Sequence, residues 1–508
     1  MALPYQCTAT LERMHVLVTE GSMGSKPKAA EPAAEHTGRR RRRGRNVPWW
    51  AFLPLPHAPA PAEPVGLEDL PVEVLQKVVV DSDKAQLMAR TSKHLQGVFK
   101  TPGAALKGAR LPFRVKCTSY ITPETTTRNQ RKIAMLHDLE RRSTEYTLTS
   151  IDVRHFELVD KSLVFPRTDP RVESLAASLR KCPALETLTL KYTGVTDWTD
   201  IGNALANCTQ LERVHIEAGS IAFWHDRSTF EHVFRGIALS PHLTDLSFGK
   251  CDLREVSASL AALLPVYVAL TRLDLSSNDL GTGNNGIAGF PVLLALAQCP
   301  RLQHLDLSSN QLFDDAGDAL EVALPRCTSL THLDLSRNRF RDLNNFLRSL
   351  SQLTRLRHLS LTHIHGLSHG ALSNLFTQGG CALLTSLDVS YCNVWVSNHD
   401  EGSYQAPLVH CMSLCTNLTA LRLAGNRLGD FVGHLLCTTV LPACTSLTLL
   451  DLADTRLSEH GVRDLAPKFK TCPKLVFLDL HNNNIDDEGK DQIRRRWDAV
   501  HVPEGLVL

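Results

Sequence analysis

One short frame of leucines recurs through most of this 508-residue chain. Six copies follow Leu-x-x-Leu-x-Leu-x-x-Asn-x-Leu closely and begin at Leu270, Leu302, Leu330, Leu418, Leu447 and Leu475. Six looser copies begin at Leu148, Leu185, Leu211, Leu243, Leu356 and Leu384. From Leu185 onward, successive copies begin 26 to 34 residues apart. A fixed apolar frame at this period predicts about twelve structural units stacked in a row.

Each copy of the frame predicts one strand and one helix. Leucines at positions 4 and 6 alternate with polar residues, which is the period of a strand with one buried face. Asn at position 9 is expected to satisfy backbone groups of neighbouring turns with its side-chain amide. The remaining ~14 residues carry a helical pattern, as in Ala316, Ala319, Leu320 and Ala323. Since such a unit cannot bury its apolar face alone, stacking should produce a curved solenoid.

This pattern resembles the leucine-rich-repeat family, specifically its longer, ribonuclease-inhibitor-like class. The resemblance covers residues 146–490 and implies an α/β horseshoe whose concave face binds a protein substrate. The rest of the chain is predicted to divide into a basic Pro/Ala-rich leader (1–65), a helical segment (66–110), a linker or N-terminal cap (111–145) and a C-terminal cap or tail (491–508).

Composition predicts an ordinary globular protein with one charged segment. Hydrophobic residues make up 43% of the chain, and 55 Lys and Arg against 53 Asp and Glu leave a net charge of +2. No global field should therefore attract nucleic acid or a membrane. No apolar run approaches the ~20 residues of a membrane span, and the N-terminus lacks the apolar core of a secretory signal. The leader should be disordered, and its run Arg39–Arg43 is either an import signal or a solvated stretch.

Ten of the fourteen cysteines follow the repeat register. Eight precede the first Leu of a unit by three residues, and two occupy the Asn position. They are Cys182, Cys208, Cys299, Cys327, Cys381, Cys415, Cys444 and Cys472, with Cys251 and Cys392. Because a whole repeat separates them, we predict buried thiols without metal, cofactor or disulfides. Reduced thiols favour the cytoplasm or nucleus.

Two enzyme-like motifs lie in repeat connectors. Residues 281–286 fit G-x-G-x-x-G, which is a dinucleotide fingerprint only where it joins a strand directly to a helix. Residues 366–370 fit G-x-S-x-G around Ser368, the nucleophile elbow of hydrolases, but no hydrolase sheet is predicted around them. We therefore expect no catalytic activity.

The inner strand positions 3, 5, 7 and 8 are where a partner is expected. Position 5 is Asp in seven units, either as a functional row or as the commonest filler of the frame. The histidines at position 3 suggest a pH-sensitive patch or solvated pairing with Asp306 and Asp334. Inserted aromatics near Trp224 and Trp395 either contact a partner or cap the solenoid edge. The predicted partner-binding residues are Arg272, His304, His332, His358, His363, Tyr391, Trp395, Tyr404 and Phe477.

Residues 66–110 are similar to the F-box family. Leu70-Pro71-x-Glu73-Val74-Leu75 matches its opening and Arg90–Lys93 matches its later helix, although Leu95 replaces the frequent Trp and the usual Asp-Leu pair is absent. The resemblance implies docking on the Skp-type adaptor of SCF-type ubiquitin ligases through Leu70, Pro71, Val74, Leu75 and Val78. The alternative is a helical cap for the solenoid.

These features together predict a non-catalytic substrate adaptor of an SCF-type ubiquitin ligase. One alternative is a leucine-rich-repeat scaffold or inhibitor without ligase association. Another is a bacterial effector that mimics such adaptors.

Overall fold

A computed structural model of the chain describes residues 110–116, 139–144, 147–154, 170–191, 195, 197–218, 227–281, 289–377, 383–394, 409–410, 412–500 and 503–508. All of them belong to the unit formed by residues 106–508. The F-box-like segment, with its five predicted docking residues, lies outside the described residues, as does the run Arg39–Arg43.

The described residues form one open parallel sheet of fourteen strands in strict chain order. The strands are β1 (Arg110–Lys116), β2 (Thr147–Arg154), β3 (Thr187–Lys191), β4 (Arg213–Glu217), β5 (Asp245–Ser247), β6 (Arg272–Asp274), β7 (His304–Asp306), β8 (His332–Asp334), β9 (His358–Ser360), β10 (Ser386–Asp388), β11 (Ala420–Arg422), β12 (Leu449–Asp451), β13 (Phe477–Asp479) and β14 (Leu506–Val507). The twelve predicted units coincide with β2–β13, which confirms the repeat assignment. The sheet adds one further strand at each end.

Short helices connect successive strands. They are α1 (Pro170–Arg180), α2 (Thr199–Leu205), α3 (Phe230–Ile237), α4 (Ser257–Leu263), α5 (Phe290–Ala295), α6 (Asp314–Ala323), α7 (Asn344–Leu350), α8 (His369–Thr377), α9 (Gly429–Leu435), α10 (Leu441–Ala443), α11 (Glu459–Leu465) and α12 (Asp487–Asp498). A π-helical stretch, Leu436–Val440, joins α9 to α10. Helices this short are marginal alone, so packing of their apolar faces stabilises them.

The core lies between the sheet and the helices. The middle residue of each short strand points into it, and Leu273, Leu305 and Leu333 pair in register as adjacent rungs. Each is at most 2% exposed. Leu478 occupies the same position in β13 and is fully buried. The predicted alignment of these leucines is therefore confirmed.

The asparagines at position 9 form the predicted ladder. The Asn310 Nδ2 atom donates to the carbonyls of Leu275 (2.8 Å) and Leu307 (2.9 Å), one in the preceding repeat and one in its own. Its Oδ1 atom accepts the backbone N–H of Asn278 at 2.9 Å. Asn310 is completely buried. One side chain thus satisfies the turn backbone of two repeats that would otherwise be left unpaired in the core.

From the repeat that begins at Leu243 onward, the backbone of each turn takes the same left-handed form after the strand. Position 8 has a positive φ in successive repeats, including Ser277 (57°), Ser309 (58°) and Arg337 (57°). Gly425 occupies this position after β11, with a φ of 68°, and Gly429 follows with a φ of 63°. The frame therefore imposes a strained conformation that glycine adopts at no steric cost.

The ten described cysteines are all free and buried, including nine of the ten that follow the register. Where Cys392 replaces Asn at position 9, its thiol donates to the carbonyl of Leu361 in the preceding repeat at 2.9 Å. Cys327 donates in the same way to Leu296 at 3.3 Å. Burial raises the pKa of Cys327 and Cys392 to about 12. These thiols are therefore neutral hydrogen-bond donors in the core rather than reactive thiolates.

The last repeat is covered by α12 and β14. Trp497 of α12 is fully buried and packs edge-on against Phe469 with 5.3 Å between ring centroids. Leu506 of β14 pairs with Leu478 of β13. A Cβ atom on Gly505 would lie 1.8 Å from the carbonyl oxygen of Val476, so only glycine allows β14 to approach. This segment closes the end of the core.

Candidate functional site

Two columns of side chains line the solvent face of the sheet. The first residues of the short strands form one column, in which Arg272, His304, His332 and His358 are successive neighbours. The last residues form the other. The seven predicted aspartates all fall in this second column: Asp152, Asp274, Asp306, Asp334, Asp388, Asp451 and Asp479.

The aspartates have a structural role in the turn. The Oδ1 atom of Asp306 accepts the backbone N–H of Ser308 at 2.9 Å, and Asp334 accepts that of Ser336 at 2.8 Å. The same contact recurs at Asp274, Asp388, Asp451 and Asp479. An Asp side chain that bonds the amide two residues ahead stabilises a turn. The turn geometry of the repeat therefore explains why Asp recurs at position 5.

His304, His332 and His358, which we call the His column, stack on one another across three strands. The ring centroids of successive histidines are 4.0 Å apart, with interplanar angles of 19° and 18°. The Oγ1 atom of Thr331 lies 2.8 Å from Nδ1 of His332 and orients the central ring. Parallel stacking leaves the ring edges as the surface available to a partner.

Burial lowers the pKa of the histidines in the His column. Together with nearby histidines and Arg357, it brings the pKa of His332 to about 3 and that of His358 to about 4. The pKa of His304 is also lowered, by burial and by Arg272. Beside it, burial and the carboxylates of Asp334 and Asp274 raise the pKa of Asp306. Burial therefore moves the pKa of His332 and His358 below that of a free histidine.

His363 and Tyr391 come together at position 8 of neighbouring repeats. Their rings stack with 4.7 Å between centroids, and Tyr391 remains 38% exposed. The Tyr391 ring lies over the next position 8, where a Cβ atom on Gly425 would be only 2.0 Å from its Cδ1 atom. Gly425 thus provides the space in which the Tyr391 ring lies flat.

We define the C-terminal sheet face as the solvent side of β10–β13, with the Tyr391 ring at its border. Leu449 and Phe477 are adjacent and partly buried in its first column. Its second column places Asp388, Arg422, Asp451 and Asp479 side by side. Burial, Asp479 and Asp388 raise the pKa of Asp451 to about 6, although Arg422 opposes the shift. Burial raises that of Asp388. The Asp479 carboxylate lies 2.6 Å from Nδ1 of His481.

The structure separates the predicted binding residues into groups. Arg272 lies next to the His column, whereas His363 and Tyr391 form a second contact nearer the end of the sheet, and Phe477 lies in β13. Trp395 and Tyr404 lie outside the described residues, as does Trp224. Sequence reasoning missed Gly425, although a glycine at position 8 departs from the residues usual there. It placed Leu449 at position 3 on the solvent face but did not include it among the predicted binding residues.

One described residue in each enzyme-like motif has a structural role. The Oγ atom of Ser368 accepts the backbone N–H of Ala371 at 3.0 Å, which makes Ser368 the N-cap of α8. A Cβ atom on Gly281 would lie 2.0 Å from the carbonyl oxygen of Gln311, so this glycine allows neighbouring turns to approach. Within the described part of the chain, no group of three His, Cys, Asp or Glu residues could hold a metal ion. No described helix is long and apolar enough to cross a bilayer.

A family model matches parts of this chain, and two solved structures are similar to it at low identity. Segments 270–283, 298–320, 326–343, 414–430 and 471–489 match a family model described as Leucine Rich repeat. An internalin (inlF) from Listeria monocytogenes is 18% identical over 70% of this chain and 86% of its own, with a TM-score of 0.41. TLR13 in its complex with ssRNA13 is 21% identical over 68% of this chain and 47% of its own, with a TM-score of 0.40. The five matched segments fall on five of the twelve in-register repeats, and this chain therefore folds as a leucine-rich-repeat solenoid.

Proposed function

We propose that this chain is a non-catalytic protein-binding receptor whose partner contacts the solvent face of the sheet. The observation that carries this proposal is the row of large, ordered side chains on that face, above all the stacked His column. Rings that packing already holds lose little conformational entropy when a partner binds, which is why such residues serve as interface anchors. Stacked repeats also provide the extended surface that a protein partner needs.

Affinity capture with two variants of the full chain tests this proposal. Arg272→Ala/His332→Ala removes two side chains from the solvent face, and Glu321→Ala/Val322→Ala removes two from helix α6, on the opposite side of the core. Proteins that are lost at least fivefold with the first variant and retained with the second are partners of the sheet. Equal capture by both variants would show that Arg272 and the His column are not the binding surface.

We propose further that residues 66–110 dock a Skp-type adaptor, so that the receptor presents its bound protein to an SCF-type ubiquitin ligase. Support for this step comes from the F-box-like residues Leu70, Pro71 and Val74 and from their position upstream of the repeats. The buried free thiols suit a reducing compartment such as the cytoplasm or nucleus.

Co-purification with a Skp-type adaptor tests the ligase step. We expect Leu70→Ala/Pro71→Ala to reduce adaptor recovery at least tenfold, because it removes apolar docking contacts. Gln76→Ala/Lys77→Ala, which changes polar residues of the same segment, is the matched control and should leave recovery unchanged. If the wild-type chain recovers no adaptor, the protein is a binding scaffold without ligase association.

A further inference from the structure

The C-terminal sheet face carries carboxylates, as strands β5–β8 also do, but here they lie beside apolar side chains. Asp388, Asp451, Asp454 and Asp479 occupy positions 5 and 8 of β10–β13 and the turns that follow, with Arg422 as the one arginine among them. Asp451 and Asp479 lie directly opposite each other on adjacent strands, where like charges repel. A cation placed over them would relieve that repulsion.

Apolar side chains lie directly beside the carboxylates. Leu449 and Phe477 are neighbours in the first column, two residues before Asp451 and Asp479 on the same strands. Ala420 precedes them in the same column and leaves a shallow position next to Leu449. The Tyr391 ring, 38% exposed, borders the face on the side of β10. A partner therefore meets a small apolar strip along one edge and negative charge along the other.

We infer that the C-terminal sheet face binds a protein segment that carries Arg or Lys beside an aliphatic or aromatic side chain. This inference rests on the proposed use of the solvent face and names the chemistry of the partner there. The apolar side chain of the segment packs on Leu449 and Phe477, and its basic side chains lie over Asp451 and Asp479. Four strands at about 4.8 Å spacing cover about 14 Å, which four or five extended residues span.

The like charges explain why the occupant is basic rather than acidic. Asp451 takes up a proton more readily than a free aspartate because burial and its carboxylate neighbours disfavour its charge. A bound Arg or Lys would reverse that effect by placing an opposite charge within a few ångströms. The association should therefore weaken with added salt.

Selection from a phage-displayed library of random twelve-residue peptides against the full chain tests the inference. Peptides enriched in Arg or Lys together with an apolar residue are the expected result. One enriched peptide, synthesised with a fluorescent label, is then titrated against variants by fluorescence polarisation. Enrichment of acidic peptides, or of none, would overturn the inference.

Matched variants locate the binding surface. Asp451→Asn/Asp479→Asn removes two charges while the amide oxygens still accept the turn N–H groups, so the fold should be retained. We expect at least tenfold weaker binding, and about tenfold weaker binding for Phe477→Ala. Asp306→Asn/Asp334→Asn makes the same change two and three strands away from this face and should alter binding less than twofold.

The outcomes separate this inference from the proposed function. Binding that is lost only with His332→Ala would overturn the inference and leave the sheet face as the receptor surface. Binding that no solvent-face variant changes would overturn both. Binding that depends on Asp451, Asp479 and Phe477 and weakens between 50 and 300 mM salt, on the order of tenfold, supports both.

Discussion

The His column and the C-terminal sheet face have the same backbone but different side chains. The first column carries stacked histidines in one region and apolar side chains in the other. Both are built on short strands in identical register, with the same Asp-capped turns. Partial burial acts on both in the same way, because it disfavours the charged form of any group. It lowers the pKa of His332 and raises that of Asp451. The repeat frame thus determines the positions of the side chains. The residues at its variable, solvent-facing positions determine the charge and polarity of the surface.

Both regions depend on the buried asparagine ladder, and substitution of Asn310 tests how much that ladder contributes to stability. Asn310→Ala should lower the free energy of unfolding by about 3 kcal/mol, because it leaves buried backbone groups of two repeats without partners. Urea unfolding followed by circular dichroism measures this loss. Gln492→Ala, at an exposed position of helix α12, should change stability by less than about 0.5 kcal/mol. An Asn310→Ala loss as small as that of the control would show that the ladder contributes little.

Substitutions at Gly425 and Gly429, which both have a positive φ, distinguish the cost of backbone strain from the cost of displacing an aromatic ring. Gly425→Ala should cost about 2 kcal/mol, because it adds a clash with Tyr391 to the strain of a positive φ. Gly429→Ala has a similar φ and no atom within 4 Å of its Cβ, so it should cost only about 1 kcal/mol. Thermal unfolding measures both. Tyrosine fluorescence should change only with Gly425→Ala, and equal effects of the two variants would contradict the described position of the ring.

The His column should contribute to acid sensitivity. Since the pKa of His332 is lower in the folded chain than in the unfolded chain, the unfolded chain binds more protons between about pH 6.5 and 3. Its contribution to stability is present above pH 6.5 and is lost as the pH falls. When the pH falls from 7 to 4, the free energy of unfolding of His332→Gln should therefore decrease by about 1 kcal/mol less than that of the wild type. Parallel pH dependences of the two unfolding midpoints would be inconsistent with a neutral column.

Asp451 should show the reverse slope. Its pKa is raised to about 6 in the folded chain, so the folded chain binds more protons between about pH 4 and 6 and loses stability as the pH rises through that range. Compared with the wild type, Asp451→Asn should have a free energy of unfolding that is higher by up to about 1 kcal/mol at pH 7 and equal at pH 4. The same midpoint measurement checks this, with Asp479→Asn as the comparison on the neighbouring strand.

Much of the fold could be predicted because its cause is local and periodic. Leu273, Leu305 and Leu333 occupy one frame position, and any stack of such units must bring them together. The asparagine ladder and the buried thiols follow from the same register. The stacking of His363 on Tyr391 could not be predicted, because it depends on two turns from different repeats and on the space above Gly425.

By itself, the sequence determined the repeat, its strand and helix halves, the buried leucines and the residues that face solvent, because each depends on spacing along the chain. Only the tertiary structure decided the protonation of the His column, the position of the Tyr391 ring and the proximity of Asp388 and Asp479 to Asp451. Those properties depend on distance and burial between residues that lie one or two repeats apart in the chain, and a solenoid sets that proximity through the register of its strands.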